Sequence, residues 1–206
     1  MTDPIKTAQD DLAFMRSLVE HGGRAGTSGG SVFLAAGLLY GLQCLFHWGQ
    51  MRGWIDAPDL VNLLFSAGPT AAFLVILCVV LWRDRKRTET GSQSRAVQGM
   101  FAGIGLANLV MVAVFAVNAA RQQDFQIWLF YPAVIFALQG AAWFAVWQVR
   151  RRGWLGAVAL GWLAASLALG LSIDALERYI LIAALSLLLL MALPGAVMMR
   201  LARQNG

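Results

Sequence analysis

The sequence predicts an all-α integral membrane protein: six transmembrane helices in a bundle, both termini inside, preceded by an amphipathic helix on the cytoplasmic face. Three observations carry this expectation. Of the 206 residues 59% are hydrophobic and 13% charged, with a mean hydropathy of +0.63, whereas about a quarter of a soluble domain is charged. The apolar residues form six continuous runs of spanning length, without the period-two alternation of barrel strands. Finally, 13 of the 16 basic residues fall on one side of those runs.

This composition excludes an ordinary soluble enzyme, a disordered tail and a disulfide-stapled module. The net charge of +5 does not imply a nucleic-acid partner. Its basic residues sit in short loops between apolar runs, where they encode membrane orientation.

Residues 1–30 form the first unit, an amphipathic helix over about residues 4–21 followed by a glycine-rich tether. Asp3 fits an N-cap, Pro4 the first helical position, and Gly22 with Gly23 a stop. Ile5, Ala8, Leu12, Met15 and Val19 recur at spacings of three and four, which places them on one face. Lys6 and Arg16 oppose Asp10, Asp11 and Glu20. A helix that lies on anionic lipid usually has a basic polar face, so this one is expected to dock on basic inner loops or a cytosolic protein partner. The segment has no central apolar run and is not read as a signal peptide.

The second unit, 31–206, contains the spans 31–48, 60–82, 96–119, 125–149, 154–171 and 179–199. At 1.5 Å per residue, a core of about 30 Å needs about 20 apolar residues. With the N-terminus inside, the inner segments contain Lys6, Arg16 and Arg24; Arg83, Arg85, Lys86, Arg87 and Arg95; Arg150, Arg151 and Arg152; and Arg200 and Arg203. Arg52, Arg121 and Arg178 lie outside. The expected location is a bacterial-type inner membrane. Most tryptophans fall near span ends as interfacial anchors, as does Tyr179, while Trp143 and Trp162 lie deeper.

Uncharged polar residues form stripes on four spans. Tyr40, Gln43 and His47 share a face of the first; Asn62, Ser66, Pro69 and Thr70 align on the second; Asn108 follows Gln98 and Gly105 on the third; Gln139 and Trp143 follow Pro132 on the fourth. Because unsatisfied polar groups are costly in hydrocarbon, these stripes are expected to point inward, with spans five and six packed outside or against another subunit. Gly37 with Gly41 and Gly99 with Gly103 offer small-residue helix contacts. The stripes have two readings: interhelical bonding, or a ligand pathway lined by Tyr40, Gln43, Asn62, Ser66, Thr70, Asn108, Gln139 and Trp143, with His47 at its outer mouth. Pro69 and Pro132 each free a carbonyl that a ligand, a water or a neighbouring hydroxyl can use, and Pro194 reads as a kink.

No metal-ligand cluster or cofactor motif is present, so no metal or cofactor is expected. Cys44 and Cys78 are separated by about 20 Å of depth, too far for a disulfide. The leading expectation is a non-catalytic binding or regulatory protein whose basic loops, Arg83–Arg87 and Arg150–Arg152, and N-terminal helix engage lipid or a protein partner. The alternative is a small homo-oligomeric transporter or channel for an uncharged or weakly cationic solute. An intramembrane enzyme is the third class, disfavoured because the acid and base groups such chemistry requires are missing at depth.

Overall fold

The computed structural model describes residues 29–84 and 92–204. The expected N-terminal helix and the basic residues Arg85, Lys86 and Arg87 lie outside the described residues. The elements are α1 (Gly29–Met51), α2 (Asp59–Asp84), α3 (Ser92–Gln122), α4 (Phe125–Arg150), α5 (Gly153–Gly170), α6 (Leu176–Leu187) and α7 (Leu193–Gln204). A π-helical turn, Leu188–Ala192, joins α6 and α7 into one sixth span. Among the described residues, six helices are long and apolar enough to cross a membrane, and none forms a strand.

Local chemistry sets the boundaries. Asp124 caps α4, its Oδ1 accepting from the Gln126 backbone N–H at 2.9 Å. Gly53, at φ 70°, turns the chain after α1, where the Trp54 N–H reaches the Gly49 carbonyl at 2.9 Å. Gly29 and Gly30, expected in the tether, are helical and belong to α1. Leu171, expected in the fifth span, lies one residue past α5.

The core lies between α4, α5 and α6. Leu129, Ala133, Phe136, Gly140, Trp143 and Val146 make one face of α4; Leu155, Ala159, Trp162, Ala165 and Leu169 make the facing side of α5. Phe136 meets Trp162 edge to face at 4.7 Å. Tyr179, Ala183 and Ala184 close the cluster from α6. Small residues let the helices approach so that the two deep tryptophans, each 1% exposed, fill the remaining volume.

The first helix packs on the sixth span almost backbone to backbone. A Cβ on Gly37 would stand 2.3 Å from the Ala192 nitrogen, and one on Gly195 would stand 2.5 Å from the Leu34 nitrogen. Gly41 similarly faces the Leu188 side chain. Gly99 and Gly103 behave differently from expectation: a Cβ at either meets nothing within 4 Å.

The arrangement of the spans reverses one expectation. No residue in the most apolar stretch of α2 or α3 is buried, whereas a third of those in α4, α5 and the sixth span are. Spans five and six therefore build the core instead of surrounding it. The physical reason is that polarity and burial ask for different things. One neighbouring carbonyl satisfies an amide, whereas dense burial needs small residues on both helices.

The ends of the bundle are also defined. An ion pair between Arg52 and Glu177 joins the end of α1 to the start of α6. At the opposite end Gly30 seats on Gly195 and Met199, and Phe33 packs on Phe101 and Trp143. Arg83, Arg150, Arg151, Arg152, Arg200 and Arg203 accordingly share the Gly30 end, away from Arg52, Arg121 and Arg178.

Candidate functional site

The nine candidate residues do not converge on one chamber. They divide between two helix seams, and four of them, Gln43, His47, Asn62 and Asn108, have polar side-chain atoms taken by protein partners.

In the α1–α2 seam, the Gln43 Nε2 donates to the Ser66 carbonyl at 3.0 Å. The His47 Nδ1 lies 3.1 Å from the Gln50 Oε1, the Gln50 Nε2 donates to the Asn62 Oδ1, and the Asn62 Nδ2 donates to the Ala57 carbonyl at 3.0 Å. His47 is thus the first link of a relay that clamps the α1–α2 loop. Tyr40 packs on Phe73 at 5.7 Å, and Phe46 stacks on Phe65 at 4.0 Å. The side chains of Ser66 and Thr70 sit on the exposed surface of α2.

In the α3–α4 seam, the Tyr131 hydroxyl donates to the Asn108 Oδ1 at 2.7 Å. Deeper on α4, Gln139 and Trp143 follow one another by a helical turn. Trp143 is enclosed by Phe33, Phe101 and Trp154. The Gln139 Oε1 and the Trp143 Nε1 are both buried without a hydrogen-bond partner among the described residues.

Prolines explain where the interhelical bonds fall. A helical proline has no N–H to donate, and its ring pushes away the preceding turn, so the carbonyls three and four residues earlier lose or weaken their intrahelical bonds. Three such carbonyls accept from other helices. Ser66 precedes Pro69 by three and receives Gln43; Leu129 precedes Pro132 by three and receives the Tyr179 hydroxyl at 2.6 Å; Leu190 precedes Pro194 by four and receives the Trp162 Nε1 at 3.1 Å. Pro194 is therefore more than a kink, and Tyr179 is a buried tie instead of an interfacial anchor. Ser166 adds a bond to the Ala133 carbonyl at 2.8 Å.

Two shallow concavities among the described residues stand out, and neither is lined by any of the nine candidates. One, about 300 Å³, runs along α2 between Leu60 and Ala71. The other, about 400 Å³, lies between the start of α1 and the end of α7. Sequence reasoning passed over Gln50, although it sits three residues beyond His47 on the same stripe. Tyr131 was not among the candidates either, because the carboxamide it meets lies on another helix.

Removal of one seam bond has a modest expected effect. Tyr131→Phe leaves the ring in place and deletes the bond to Asn108, at a cost of about 0.6 kcal/mol. A detergent-unfolding titration of the purified chain reads this; a cost above about 2 kcal/mol, beyond the ceiling for such bonds, contradicts the role assigned to the pair.

No protein-family model, no curated protein and no solved structure matches the chain.

Proposed function

We propose that the chain is a non-catalytic, multi-pass protein of a bacterial-type inner membrane, with both termini cytoplasmic, and that its basic end engages a partner at the inner surface. The observation that carries this reading is the gathering of Arg83, Arg150, Arg151, Arg152, Arg200 and Arg203 at one end of the bundle. Inner loops rich in arginine set orientation and also present guanidinium groups to acidic surfaces.

Arg151 adds a second line of support. It caps α4 in the left-handed conformation, φ 52°, with its N–H on the Trp147 carbonyl at 2.7 Å. Glycine suits that position better, by about 1 kcal/mol. A guanidinium held there at a local conformational cost fits a residue used for its charge.

The partner is a cytosolic protein, docked with the acidic N-terminal segment acting beside the basic loops. The test is a crosslinking pulldown from native membranes, comparing the full chain with a deletion of residues 1–21 and with R150Q/R151Q/R152Q. Loss of the same crosslinked species in both variants is expected, and unchanged species overturn the reading. Arg151→Gly separates charge from conformation: it is expected to raise stability by about 1 kcal/mol and weaken the crosslink. Lower stability would contradict the account of the cap.

One observation favours the second reading, a small transporter or channel. The unpartnered Gln139 Oε1 and Trp143 Nε1 offer an acceptor and a donor to a small uncharged solute. Proteoliposome flux that falls on Gln139→Leu supports it. Flux unaffected by that change removes these atoms from any pathway.

A further inference from the structure

The concavity between α1 and α7 combines two kinds of wall. Leu34, Ala196 and Met199 are apolar, while Arg200, Arg203 and Gln204 are polar. On α7 the order is set by helical spacing. Ala196, Met199, Arg200 and Arg203 fall at i, i+3, i+4 and i+7, so one stripe changes from apolar to basic toward the helix end. From Ala196 to Arg203 the rise is about 10 Å, the depth over which a bilayer changes from acyl chain to headgroup.

The electrostatics are one-sided. Neither α1 nor α7 contains an acidic residue. Both arginines are exposed, and the ion pair found among the described residues, Arg52 with Glu177, lies at the other end of the bundle. Two guanidinium groups three residues apart, without an ion-pair partner among the described residues, match the oxygens of a phosphodiester, with the carboxamide of Gln204 beside them. An adjoining amine, as on a zwitterionic lipid, would find no carboxylate on either helix.

We infer that this groove is a binding site for one anionic phospholipid, its phosphate held by Arg200 and Arg203 and the upper part of an acyl chain laid against Leu34, Ala196 and Met199. Close packing of α1 on α7 at Gly30 and Gly195 fixes the two walls relative to each other. Basic grooves between spanning helices on the inner side recognise acidic headgroups in this way. The assignment rests on the proposed membrane placement but not on the proposed protein partner, so the two fail separately.

The test uses the delipidated full chain in neutral detergent, titrated with phosphatidylglycerol or phosphatidylcholine of matched acyl chains, with bound lipid counted by native mass spectrometry. Each basic residue at an anionic surface contributes about fivefold, so phosphatidylglycerol is expected to bind at least about tenfold tighter than phosphatidylcholine. R200Q/R203Q should abolish that preference, while R150Q/R151Q/R152Q retains it. Ala196→Trp, which fills the groove and leaves both charges, should also weaken phosphatidylglycerol. Glycerol 3-phosphate, which has no acyl chain, should not compete at equal concentration. Equal binding of the two lipids, a preference that survives R200Q/R203Q, unchanged binding in Ala196→Trp, or full competition by glycerol 3-phosphate would each overturn the site.

Discussion

Gly37→Ala is expected to destabilise the protein by about 2–3 kcal/mol, the upper part of the range for overpacking. The added methyl would stand 2.3 Å from the Ala192 nitrogen and 2.8 Å from its Cα, both backbone atoms in the middle of the sixth span. A flexible side chain can swing aside from such a contact; a helix backbone cannot without moving the helix. Relief therefore requires α1 to withdraw from the sixth span along their whole contact, including the second close approach at Gly195. Gly99→Ala on α3 is the matched control, since its Cβ meets nothing within 4 Å. It should cost nothing, or gain the few tenths of a kcal/mol to about 1 that alanine has over glycine in a helix. The detergent-unfolding midpoints of the two variants check this, and a Gly37→Ala chain as stable as the parent contradicts the close packing.

Trp162→Ala has the other large expected effect, about 3–5 kcal/mol, the range for truncating a buried large aromatic residue. The ring is 1% exposed, meets Phe136 edge to face, and its N–H serves the Leu190 carbonyl. Trp162→Phe separates these contributions, because it keeps an aromatic ring while leaving that carbonyl without its donor. Leu190 lies in the π-helical turn that runs up to Pro194, and Pro194 has no N–H to offer the carbonyls of that turn. Pro194→Ala restores one. Trp162→Phe should therefore cost less in a Pro194→Ala background than alone, with a coupling of about 0.5 kcal/mol or more in a double-mutant cycle. Strict additivity would show that the indole serves packing alone.

The fold was legible in the sequence to the extent that the bilayer dictates it. Span number and approximate limits follow from the length of apolar runs, and the depth of Trp143 and Trp162 follows from their distance to the span ends. The order of burial was not legible. Gly140, Ala159 and Gly161 select α4 and α5 for the core through complementarity with a facing helix, and no single-helix pattern contains that partner. The polar stripes were visible as stripes, yet their partners were not. Gln43 and Gln139 look alike in sequence, each following a leucine on a small-residue helix. One reaches a proline-loosened turn on the neighbouring helix, while the other has its oxygen buried among apolar groups. Gln50 was passed over and Tyr179 was read as an anchor for the same reason, since the role of each depends on where a second helix places an acceptor oxygen.

The basic end was legible as a count and became specific only as a place. Arg200 and Arg203 entered the sequence reading as two charges after the last span. In the structure they cap a groove whose other wall is the start of α1. A residue near the beginning of the described chain and one near its end thus form a single surface, a relation that helix periodicity alone does not contain.

The central claim is that this basic end faces the cytoplasm, and impermeant-maleimide labelling tests it most directly. In a C44A/C78A background, one cysteine replaces Asp56, in the α1–α2 loop beside Arg52, and another replaces Gln204, beside Arg203. Both positions are exposed. In intact right-side-out membranes the account predicts that Asp56→Cys is labelled and Gln204→Cys is protected until the membranes are opened. Labelling of Gln204→Cys with protection of Asp56→Cys, or labelling of both, would contradict it.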